Sequence, residues 1–127
     1  MKIKGLLISP STQTIKEVEV EELRDSFLTS MYRLIECDTV DVVRGYFSRQ
    51  PYCSEDDLWV DDEGLLKTSV VQWGFTLYED ASPIIGNGLV LGVDLKKGDC
   101  VSYTLSESAI TEIRNRIKWC YCINRHQ

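Results

Sequence analysis

The sequence predicts an α+β fold: a mixed or mostly antiparallel sheet of about five to seven short strands with two main helices, both on one face. Three observations carry this. Short β-branched or alternating runs recur along the chain, bounded by Gly, Pro, Asp and Ser. Leu23, Phe27 and Met31 recur at helical spacing, and so do Leu105, Ala109, Ile113 and Ile117. Neither the composition nor the spacing shows a repeat, a low-complexity tract or a linker. The 127 residues therefore read as one domain, 1–127.

The first segment, Ile3 to Ile8, is short and apolar, and Pro10, Ser11 and Thr12 supply a turn. Thr14 to Glu19 is β-branched and reads as its hairpin partner. From Val20 the period becomes helical, with Glu21, Glu22 and Asp25 near the positive end of the helix dipole. Leu34 to Cys37 and Val40 to Val43 look like strand material broken at Asp38. Residues 45–56 carry Gly, Pro, Ser and charge, and read as an irregular insertion. Leu58-Trp59-Val60 is a short strand running into the turn Asp61 to Gly64. Val71, Trp73, Phe75 and Leu77 alternate with other residues, which predicts one buried face and makes Trp73 a core residue. Leu89 to Val93 is a continuous apolar run, as expected of a central strand buried on both faces. Lys96 to Asp99 is a turn before a short strand at Cys100 to Tyr103. Thr104 and Glu107 have the spacing of a capping box, opening a C-terminal helix over 104–122.

An apolar fraction of 43% excludes a disordered chain. No apolar run reaches the roughly 18 residues of a membrane span. The opening residues have no signal-peptide layout, so reduced thiols in a cytoplasm are expected for the five cysteines. A net charge of −6 opposes direct binding to nucleic-acid phosphates.

Few residues point to chemistry. Cys120 and Cys122 form a C-x-C with His126 beyond, but one close pair falls short of the two pairs usual in zinc sites. No metal site and no cofactor is expected. The single histidine is second from the end, and no Ser lies in a nucleophile-elbow context, so no catalytic residue is assigned. The acidic runs at 55–57, 61–63 and 79–80 lie in turns, where charge is usually solvated. Gly86-Asn87-Gly88 with Gly92 misses the dinucleotide spacing and leads into a strand where a phosphate site needs a helix N-terminus. A glycine-lined turn still admits a ligand to the backbone, with Asn87 as donor and acceptor. Spacing alone favours a plain turn entering a crowded sheet. The ligand-binding alternative uses Gly86, Asn87, Gly88, Trp59 and Asp61, with Lys96 or Lys97 as phosphate partners.

Three stretches resemble one family. They are Leu6 to Pro10 followed by Thr14 to Val20, then Trp59 to Lys67, then Gly86 to Gly92. Together they resemble the domain of unknown function 3846 family, found in phages, plasmids and other mobile elements. The resemblance implies a cytoplasmic accessory protein in a bacterial host and supplies no catalytic residue. It directs attention to non-enzymatic inhibition or modulation of a host defence system. The partner is then a small nucleotide signal, sequestered, or a defence protein, occluded. A homodimer is compatible with either, because exposed edge strands often pair. The alternatives are an acidic protein-interaction or nucleic-acid-mimic module, and a small metal-dependent nucleotide-processing enzyme.

Overall fold

The computed structural model describes residues 2–22, 24–62 and 71–123. The elements are β1 (Lys2–Ser9), β2 (Thr14–Glu21), α1 (Arg24–Ile35), β3 (Val40–Val43), β4 (Asp57–Asp61), β5 (Val71–Thr76), β6 (Ile84–Ile85), β7 (Gly88–Val93), β8 (Cys100–Val101), α2 (Glu107–Arg116) and β9 (Lys118–Ile123). Every pairing is antiparallel. The larger sheet runs β2-β1-β7-β4-β3, with β8 beside the far end of β7, and the smaller runs β6-β5-β9. The α+β expectation holds, but among the described residues nine strands in two sheets replace the expected sheet of about five to seven.

Neighbouring residues of one strand point to opposite faces. Leu6 and Ile8 of β1, Val90 of β7 and Leu58 of β4 pack with Phe75, Leu105, Ala109 and Ile113. Ile3 and Leu7, with Leu89 and Leu91, pack instead with Met31 and Ile35. The helices therefore cover opposite faces of the large sheet, correcting the expectation of one face. The run Leu89 to Leu91 is fully buried because β7 is covered on both sides.

Several boundaries move. Val20 is fully buried in β2 opposite Ile3, so the helix begins later than expected. It runs through Leu34 and Ile35, which continues the Phe27, Met31 series at i+4. The second helix is capped by Ser106, whose side chain accepts from the Ala109 N–H at 3.1 Å. Thr104 is drawn away by Asp56. The helix ends at Arg116, and Ile117 is extended, with φ −63° and ψ 135°. The remainder becomes β9, because Trp119 pairs with Phe75 and Tyr121 with Trp73. The expected 104–122 helix is thus a ten-residue helix and a strand.

The 45–56 segment is irregular, as expected, yet it supplies core. Phe47 is fully buried, and Tyr46 and Tyr52 lie beside it. Asp56, 1% exposed, holds the segment before α2 by accepting from Thr104 N, Thr104 Oγ1 and Leu105 N at 2.8–3.0 Å. Among the described residues no helix is long and apolar enough to cross a membrane.

Candidate functional site

The Gly86-Asn87-Gly88 stretch lies where the two sheets meet. Gly86 has φ +91°, a conformation costly for other residues. Its N–H donates to the Trp73 carbonyl at 2.8 Å. Among the described residues, only Asp61 comes within 4.0 Å of where a Gly86 side chain would begin. Gly88 is crowded: a Cβ there would stand 2.8 Å from Leu58 Cδ1 and 2.9 Å from Phe75 Cζ.

Asn87 is buried and committed. Its Nδ2 donates to Leu34 O at 3.0 Å and to Glu36 Oε2 at 3.1 Å. Helix α1 ends with Glu36 at φ +62° and the Cys37 N–H bonded to Tyr32 O. This is a Schellman-type end without glycine, and Asn87 satisfies the Leu34 carbonyl that the helix leaves over. The side chain expected to meet a ligand instead fastens α1 to the large sheet.

Trp59 pairs with Leu89 and packs half-buried against the core under α1. Asp61 ends β4 close to Gly86. The structure thus gathers Trp59, Asp61 and the Gly-Asn-Gly stretch into one corner. Lys96 and Lys97 do not join them. They lie past the other end of β7, in an exposed turn where their N–H groups donate to Asp94 Oδ1. The length of β7 separates the two ends by roughly 17–20 Å, so these lysines cannot serve as phosphate partners at Gly86.

The corner corrects the expectation that Trp73 is a core residue. Trp73 is 41% exposed and Tyr121 60% exposed. Their rings are 5.5 Å apart, tilted by 54°. They share a strand face with Phe75 and Trp119, which are packed into the core. The small sheet outruns the core it covers, leaving an aromatic ledge tied to Gly86. Alternation identifies the face of a strand, and only the packing shows where the core stops.

Two other places have site-like properties. A cavity of about 490 Å³ beside α1 is lined by Ile3, Phe27, Leu28, Cys100, Glu22 and Asp99. The volume suits a small molecule, but the two carboxylates oppose an anionic one. Burial pushes the Cys100 thiol up from its ordinary value. Tyr46, Tyr52 and Tyr78 cluster around Phe47, and burial raises all three hydroxyls, Tyr78 to about 12. The Tyr78 hydroxyl donates to Tyr46 O, and Arg49 stacks 4.6 Å over its ring while pairing with Asp80. These hydroxyls hold their protons at neutral pH, away from the range of a general base.

Among the described residues no group of three His, Cys, Asp or Glu is placed to hold a metal ion. The Cys122 side chain, His126 and residues 63–67 of the second family-like stretch lie outside the described residues. No curated protein and no solved structure matches this chain. The family model described as Domain of unknown function (DUF3846) matches residues 1–118, nearly the whole length, so the chain belongs to the DUF3846 family.

Proposed function

We propose that this chain is a non-catalytic binding protein of a mobile element, acting in the cytoplasm of a bacterial host. It inhibits or modulates a host defence system by occluding a defence protein. The observation that carries this reading is the Trp73–Tyr121 ledge. Trp and Tyr are the residue types that most often dominate binding energy at protein interfaces, and here both stand exposed beyond the core. The mobile-element setting comes from the family resemblance.

Sequestration of a nucleotide signal is the second reading. The ledge favours it by offering aromatic faces for a base. The distant lysines and the acidic cavity weigh against it. The test compares the wild-type chain with the Trp73→Ala/Tyr121→Ala variant, each recovered from a bacterial host and analysed by native mass spectrometry and affinity capture. A stoichiometric host protein held by wild type and lost by the variant supports occlusion. A nucleotide mass held and lost in the same way replaces it with sequestration. Equal retention by both forms removes the ledge from the mechanism.

A further inference from the structure

The outer edge of the large sheet is unevenly closed. Lys4 turns its N–H to Ser102 Oγ and its carbonyl to the Tyr103 N–H, away from its β2 partner Glu19. In an antiparallel ladder such pairs alternate, so Ile15, Glu17, Glu19 and Glu21 of β2 direct their backbone groups outward. Both ends of this row are occupied. Arg114 Nη2 donates to Ile15 O at 2.6 Å, and the Glu21 N–H donates to Ser30 Oγ at 3.4 Å. Between them the two N–H and two C=O groups of Glu17 and Glu19 face outward with no backbone partner among the described residues. At the opposite edge the Asp41 carboxylate takes the Val42 N–H, which blunts β3.

The open stretch borders a cleft of about 630 Å³ between β2 and α1, lined by Val18, Arg33 and Leu34 beside the glutamates. Glu17, Glu19 and Glu21 share one face of β2. Lys2 and Lys4 reach them at 3.6–3.9 Å from one strand further in, and Glu17 Oε1 also accepts from the Tyr103 hydroxyl at 2.8 Å. An added strand would therefore meet carboxylates as its nearest cross-strand neighbours on that face. On the other face it would meet Val18 and Leu34.

We propose that the β2 edge binds an extended segment of a partner protein that alternates basic and apolar residues. Its backbone pairs with Glu17 and Glu19, its Lys or Arg side chains lie beside the three glutamates, and its apolar ones enter the cleft towards α1. A second copy of this chain is a poor occupant. Pairing about a twofold axis at Val18 sets Glu17 against Glu19 of the other copy, and like charges directly opposite destabilise a ladder. The inference is independent of the aromatic ledge.

The test uses the full chain and two end-blocked synthetic peptides, one alternating Lys and Val and one alternating Glu and Val. The Lys–Val peptide is expected to bind, moving NMR amide signals at 17–21 and slowing exchange at Glu17 and Glu19. Glu17→Lys/Glu19→Lys should weaken it by about tenfold or more and favour the Glu–Val peptide. Glu19→Pro, which deletes an outward N–H that β1 does not use, should abolish binding while retaining the wild-type circular dichroism. Should that variant fail to fold, the charge reversal decides. Trp73→Ala/Tyr121→Ala should bind the peptide like wild type. Equal affinity for both peptides, shifts centred away from β2, or slow exchange at Glu17 and Glu19 from self-association without peptide would each overturn the proposal.

Discussion

Replacing Asp56 with alanine removes the acceptor for two backbone N–H groups and one hydroxyl at the entry to α2. Both oxygens of this carboxylate take the Thr104 N–H, at 3.0 and 2.8 Å, and one also takes the Leu105 N–H at 2.9 Å. Hydrogen bonds to a charged group contribute about 1.5–3 kcal/mol each. The Leu105 N–H is buried and would be stranded, whereas Thr104 is exposed and water can reach it. The loss should then be about 3–4 kcal/mol, a large share of the roughly 5–15 kcal/mol that holds a domain of this kind together. Asp56→Asn retains one acceptor oxygen and should cost less than half as much. The assay is urea unfolding at neutral pH, with the midpoint compared at constant slope. A loss below about 1 kcal/mol for Asp56→Ala would refute the reasoning, because a stranded Leu105 N–H together with the lost Thr104 bonds cannot cost so little unless α2 is anchored elsewhere.

Other outcomes follow from the same geometry. Asn87→Ala should destabilise by about 1–3 kcal/mol in thermal unfolding, by freeing the Leu34 carbonyl. Asn87→Asp should be worse, since it places a second carboxylate against Glu36, and a milder effect would argue against the clasp. Gly88→Ala should cost about 1–3 kcal/mol by overpacking against Leu58 and Phe75, and a neutral result would mean the corner has slack. Tyr78 has its hydroxyl raised to about 12 by burial, so its neutral form is favoured in the folded state. Its contribution is intact below about pH 10, the unfolded value, and is lost as pH rises from there through about 12. Phenolate absorbance should show a late-titrating tyrosine that Tyr78→Phe removes; its absence would contradict the buried hydroxyl.

Much of the fold was legible in the residues. Alternation, β-branching and short apolar runs between turn residues located β1, β2, β3, β4, β5 and β8, and a continuous apolar run located β7. The Leu105, Ala109, Ile113 series located α2, since that spacing reports which side chains share a face. Helix ends were less legible. Glu36 occupies a left-handed position where glycine is the usual sign, and Asn87 completes that end from the link between β6 and β7, 53 residues after Leu34. The capping-box spacing at Thr104 was outcompeted by Asp56, a long-range partner that no local pattern records.

The candidate site divides in the same way. Glycine clustering and charge marked the Gly86 corner, and the fold does bring Trp59 and Asp61 to it. Lys96 and Lys97 are near Gly86 in sequence, but the extended β7 carries them to its far end. By itself the sequence determined strand faces, the apolar stripe of each helix, the buried central strand and the family. Tertiary structure alone decided that the helices take opposite faces, that Trp73 and Tyr121 overhang the core, and that Glu17 and Glu19 face solvent. The physical reason is that periodicity specifies which side of an element is apolar. What covers that side, and where the cover ends, depends on contacts between residues far apart in the chain.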